Sequence, residues 1–99
     1  EVISTKELGD GLAWTVEYVA RVERQLRKLG PDASRRIRRY MEHTVGQLEN
    51  ARDVGAPLVG ELSGLWRYRV GDYRVVCKIQ DDVLIVLVLE VGHRREVYR

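Results

Sequence analysis

The chain has 99 residues, 44% hydrophobic and 32% charged, enough for one domain with a single hydrophobic core and no staples. The longest apolar run, Val83 to Leu89, has the length of a strand rather than of a membrane span, and no signal-peptide pattern is present. The single cysteine excludes an internal disulfide and fits a reducing cytoplasm, while 17 basic against 15 acidic side chains leave a net charge of only +2, so that charge distribution says more than its total.

Residues 1 to 11 show no periodicity and close on Gly9-Asp10-Gly11, a breaker cluster; they read as an N-terminal extension or appended segment in front of a domain spanning 12–99. Leu12 to Tyr18 alternates as a first strand, with Trp14, Val16 and Tyr18 on one face and Thr15 and Glu17 on the other. Helical spacing follows. Val19, Val22, Leu26 and Leu29 recur at three and four, the stripe of an amphipathic helix that Gly30 caps. Pro31 opens a second helix expected to run from about Asp32 to about Asn50, with Ile37, Met41, Val45 and Leu48 buried. Arg35, Arg36, Arg38 and Arg39 crowd one turn of it and read first as a solvated face, with a secondary contact to RNA as the alternative.

Residues 53–64 contain Pro57 and three glycines and read as a loop. They deliver the chain to the most informative stretch, Leu65 to Ile79. Here large apolar and basic residues alternate, and Gly71-Asp72 marks a two-residue hairpin turn. That turn pairs Val70 with Tyr73 and Arg69 with Arg74. Trp66, Tyr68, Val70, Tyr73, Val75 and Cys77 then share one face, while Leu65, Arg67, Arg69, Arg74, Val76 and Lys78 share the other. Like charges directly opposed across a ladder cost a few tenths to about 1 kcal/mol, a cost that an anion between them would offset. The basic face is therefore a candidate phosphate site.

Asp81-Asp82, read as a second two-residue turn, places Leu87 and Leu89 beside Val76 and Arg74 as the floor of a basic groove. Val83 to Val91 is almost unbroken in its hydrophobicity, which predicts a central strand buried on both faces. His93 and Arg94 follow in the tail. No glycine-rich phosphate loop, zinc-ligand spacing or Ser-His-Asp set stands out, and no cofactor or metal is implied.

The order β-α-α-β-β-β, the phrase from Gly60 to Val75 and the ending Val91-Gly92-His93-Arg94-Arg95-Glu96-Val97-Tyr98 resemble the RelE toxins of the RelE/ParE superfamily over about residues 13 to 99. The resemblance implies an α+β fold, an antiparallel β-sheet with an N-terminal helical hairpin packed on one face. It also implies a toxin of a type II toxin-antitoxin module that cleaves messenger RNA in the ribosomal A site, against 16S rRNA. A cognate antitoxin neutralises such a toxin, and operator DNA is reached only through that antitoxin. Carried over position by position, it implies catalytic roles for Arg67, Arg69, Arg74, Arg94 and Tyr98, with His93 beside them and Lys78 and Arg95 on the RNA. Many relatives have lysine where this chain has Arg67 or Arg69, and a guanidinium is too basic to serve as a general base. His93 and Tyr98 are then the candidates for proton transfer. Two alternatives share the scaffold: a ParE-like inhibitor of DNA gyrase, and a non-catalytic module that acts only with its antitoxin.

Overall fold

A computed structural model of the chain describes residues 2–4, at the backbone, and 13–93. The strands are β1 (Val2–Ser4), β2 (Thr15–Val19), β3 (Ala56–Pro57), β4 (Trp66–Val70), β5 (Tyr73–Gln80) and β6 (Ile85–His93), and the helices are α1 (Ala20–Leu29) and α2 (Pro31–Arg39). They form one sheet in the order β1-β2-β6-β5-β4-β3. All pairings are antiparallel except that of β2 with β6. A parallel pair needs a long connection between its strands, and the helical hairpin with the β4-β5-β6 meander supplies it. β1, which no periodicity announces, pairs with the outer edge of β2, Ile3 opposite Tyr18.

The two helices cover one sheet face, and the predicted stripes supply the core between them. Val22 and Leu26 of α1 and Ile37 of α2 are buried, as are Trp14, Val16 and Tyr18 around β2 and Tyr68, Val75, Cys77, Val86 and Val88 from the meander. Gly30 ends α1 at φ +97°, a conformation suited to glycine, and Pro31 starts α2 at once. The second helix departs from expectation at its end. It loosens into a π turn over Tyr40–Thr44 and a 3-10 turn over Val45–Gln47, keeping Met41 and Val45 in the core but leaving Leu48 half-buried. Arg38 also departs from the solvated face assigned to it: it is half-buried, pairs with Glu23 of α1 and lies over the Tyr18 ring at 4.9 Å. Beneath it the Tyr18 hydroxyl donates to Glu42 Oε2 at 2.8 Å.

The predicted loop before the hairpin contains the short edge strand β3, whose Ala56 faces Arg67, and a 3-10 turn over Gly60–Leu62. Pro57 is tolerated there because an edge strand need not donate on its outer side. The second turn requires a larger correction. Residues 81–84 connect β5 to β6, with Leu84 at φ +54°. The connection is four residues long, with the Val83 N–H donating to the Gln80 carbonyl at 3.4 Å, so the pairing rule of a two-residue turn does not apply to it. A bulge between Val76 and Cys77 shifts the register again, so that Lys78 faces Leu87, Val76 faces Glu90 and Arg74 faces Gly92. Leu87 and Leu89 therefore do not floor the groove beside Val76 and Arg74.

Candidate functional site

The β4-β5 hairpin forms in the predicted register: Val70 pairs with Tyr73, Arg69 with Arg74, Arg67 with Val76 and Trp66 with Cys77. Gly71 takes φ +60°, and Asp72 keeps a negative φ, as a type II′ turn requires. Arg67, Arg69, Arg74 and Lys78 consequently share the face opposite the helices. Residues opposed on neighbouring strands lie about 5 Å apart at Cα, and alternate residues along a strand about 7 Å. Three arginines therefore leave the sheet from neighbouring positions on one face, close enough for their side chains to reach a common phosphodiester. Arg69 and Lys78 are exposed, and Arg67 and Arg74 are half-buried. Among the described residues, Arg67, Arg69 and Lys78 form no ion pair, so their charge is available to a ligand.

Two features give this patch its shape. Val76 lies between Arg67 and Glu90 in the register and is 3% exposed although it is on the basic face, so the floor is apolar. Gly92, opposite Arg74, puts no side chain into the space beside that guanidinium. Glu90, which the spacing did not single out, borders the patch and is drawn toward Arg21 of α1 at 3.7 Å. The bulge brings it there, and no local signal announces a bulge.

The strand that carries Arg67 and Arg69 is held from behind. Its alternate residues point into the protein, where the Tyr68 hydroxyl donates to the Ala51 carbonyl at 2.6 Å and the Trp66 indole N–H to the Val54 carbonyl at 2.8 Å. Burial pushes the Tyr68 phenol well above its ordinary value, which keeps it a donor. Gly55 lets this loop lie flat on β4. At φ +85°, a Cβ there would stand 2.4 Å from the Arg67 carbonyl oxygen and 2.6 Å from the Trp66 indole nitrogen. Arg52 ties the same loop to the β5-β6 connection through two hydrogen bonds to Asp81, at 2.8 and 3.0 Å, which lower the Asp81 carboxyl below its usual range. These contacts fix the strand on one face, so that the arginines on the other are presented by a rigid element.

His93 does not join the arginines. It faces Tyr73 across β5-β6, and the two rings meet edge-on at 6.3 Å on the helix side of the sheet. The strand's alternation sends it there, since Gly92 occupies the position opposite Arg74. With Gln25, Lys28 and Leu29 of α1 it lines a cleft of about 320 Å³ at the end of β6. Cys77 is buried on the core side, and burial raises its thiol well above the usual value. Arg94, Arg95 and Tyr98 lie outside the described residues.

Residues 13–98 match the family described as "ParE toxin of type II toxin-antitoxin system, parDE". The chain is 35% identical over 89 residues to Toxin RelG of Mycobacterium tuberculosis, covering 89% of this chain and 99% of that protein. Its fold is similar to that in the crystal structure of the toxin-antitoxin complex RelBE2 from Mycobacterium tuberculosis, with a TM-score of 0.76 and 29% identity over 88% of this chain and 98% of that one. A TM-score of 0.64 at 22% identity relates it to the archaeal RelE-RelB complex from Pyrococcus horikoshii, over 87% of this chain and 100% of that one. The isolated E. coli RelE toxin follows, with a TM-score of 0.60 at 22% identity over 84% and 88% of the respective chains.

Proposed function

The chain belongs to the RelE/ParE superfamily of type II toxin-antitoxin toxins, and from that premise we propose that it is an endoribonuclease that cuts messenger RNA in the ribosomal A site and is silenced by a cognate antitoxin. The observation that carries this reading is the convergence of Arg67, Arg69 and Arg74 on one open sheet face, with Arg69 directly opposite Arg74. Cleavage of RNA by its own 2′-hydroxyl passes through a phosphorane that carries an extra negative charge. Preorganised cations stabilise that charge more than they stabilise the ground-state diester. Guanidinium forks suit the task because they bind two phosphate oxygens at once. In this reading no metal is required for charge stabilisation. Lys78, exposed one step along the same face, holds a neighbouring phosphate.

Proton transfer needs a different group, since guanidinium holds its proton at neutral pH. His93 packs on the far side of the sheet against Tyr73, which moves the role to Tyr98, the residue the family motif assigns. In the same proposal Arg94 and Arg95, which the family motif assigns to the site, contact the messenger. The known complexes of similar toxins with antitoxins support a cognate antitoxin as partner, and the proposed site of action is cytoplasmic.

Primer extension on a defined messenger, with and without ribosomes, tests the proposal. A cut within the A-site codon that requires ribosomes and disappears in Arg74→Ala supports it. An intact messenger with folded, antitoxin-free protein refutes it. The ParE description of the matching family favours a second reading, inhibition of DNA gyrase. Loss of supercoiling by purified gyrase, with messenger intact, would establish that one.

A further inference from the structure

The sheet face is not the only concentration of charge. Between Ala20 and Arg39 stand eight basic and two acidic side chains, a local net charge of +6 in a chain whose total is +2. Part of this is spent internally, since Arg38 pairs with Glu23. On α2, however, Arg35, Arg36 and Arg39 line a single cavity of about 180 Å³, with Asp32 bonded to Arg35 at 2.8 Å as its one carboxylate. Among the described residues Arg36 and Arg39 form no ion pair, and all three arginines are exposed.

The place of this cluster matters as much as its charge. The Arg36 guanidinium lies against the β4-β5 turn, where a Cβ on Gly71 would come within 2.8 Å of Arg36 Nη2. Arg69 and Arg74 flank the same turn on the sheet face. The basic surface therefore continues around the hairpin tip onto α2. Arg35 and Arg39, at i and i+4, have Cβ atoms about 6 Å apart, comparable to the step between successive phosphates of an extended strand. We infer that Arg35, Arg36 and Arg39 form a second phosphate-binding site that holds an RNA strand after it leaves the arginine face past Gly71. This inference rests on the nuclease reading and adds an exit path to it. A polyanion with regular spacing fits the cluster better than an acidic polypeptide, because guanidiniums on a common ridge can each fork one phosphate.

The test uses the full chain, free of antitoxin, and 2′-O-methyl RNA of four and of twelve nucleotides, which cannot be cleaved. Fluorescence anisotropy compares wild type with Arg35→Gln/Arg39→Gln, two exposed changes whose fold is verified by melting temperature. The twelve-nucleotide strand should bind wild type more tightly than the four-nucleotide one. The double variant should lose roughly tenfold affinity for the long strand alone, and its log-log salt slope should fall by about 1.4, at about 0.7 per lost phosphate contact. Equal affinity of both lengths for wild type overturns the inference while leaving the arginine face intact, and so does a double variant that binds the long strand as wild type does. Competition by poly-glutamate as strong as that by RNA of equal charge also overturns it, in favour of an acidic protein partner. Failure of wild type to bind either length removes the RNA reading itself, and this inference with it.

Discussion

Gly55→Ala is the perturbation that tests how the arginine strand is held. A non-glycine residue in left-handed backbone costs about 1–2 kcal/mol, and Gly55 sits at φ +85°. The added methyl would also stand 2.4 Å from the Arg67 carbonyl oxygen, 2.6 Å from the Trp66 indole nitrogen and 3.0 Å from Tyr68 Cδ1. The first of these is backbone and cannot swing aside, so overpacking adds about 1–3 kcal/mol. A total of about 2–5 kcal/mol in a domain of this size lowers the melting temperature by at least about 8 °C. Gly60→Ala is the control, because Gly60 has φ +70° but no atom within 4 Å of its Cβ position. It carries the strain without the clash and should lose roughly half as much. Thermal melts followed by circular dichroism give both values, and messenger cleavage is measured below the lower transition. Gly55→Ala should cleave more slowly than Gly60→Ala there, since the displaced atom belongs to Arg67. Equal melting temperatures for the two variants would refute the argument that the loop sets the strand's position.

Arg74→Ala should abolish cleavage with a melting temperature close to wild type, because it also relieves the opposed charge of Arg69; an unfolded variant would contradict this. Tyr68→Phe should destabilise by about 1–3 kcal/mol in urea titration, since it leaves the Ala51 carbonyl without its buried donor; a neutral result would mean that the hydroxyl does not tie down the loop. Cys77 should resist thiol reagents in the folded protein and react only on denaturation, being fully buried with its thiol raised. Tyr18 and Tyr68 have phenols raised in the folded state, chiefly by burial, above the unfolded value near 10. Their contribution is therefore complete below about pH 10 and is lost as pH rises beyond it. Alkaline unfolding should coincide with their ionisation at 295 nm, and ionisation without unfolding would show these phenols to be accessible.

The family match over residues 13–98 and the fold shared with the RelBE2 toxin agree with the resemblance carried by the hairpin and C-terminal motifs. The common face of Arg67, Arg69 and Arg74 follows from strand alternation and from a turn with Gly71 at positive φ.

What could be read in the chain was what neighbouring residues decide among themselves. The Gly71-Asp72 turn fixes the β4-β5 register within a few residues, so the faces of Arg67, Arg69 and Arg74 were legible from alternation. The stripes of α1 and α2 and the Gly30-Pro31 joint were legible for the same reason: helical period and cap chemistry act within a turn or two. The π turn that closes the second helix, the bulge that brings Glu90 rather than Leu89 beside Val76, and the side of the sheet on which His93 packs were not legible. The bulge and the side taken by His93 depend on a register set across a connection wider than a tight turn, where alternation cannot count residues; the π turn accompanies the packing of Met41 and Val45 in the core, which helical period alone does not report. The parallel pairing of β2 with β6 and the place of Arg36 against Gly71 belong to the tertiary structure in the same way. They join residues far apart in sequence, and only the burial of a shared core decides which distant segments meet.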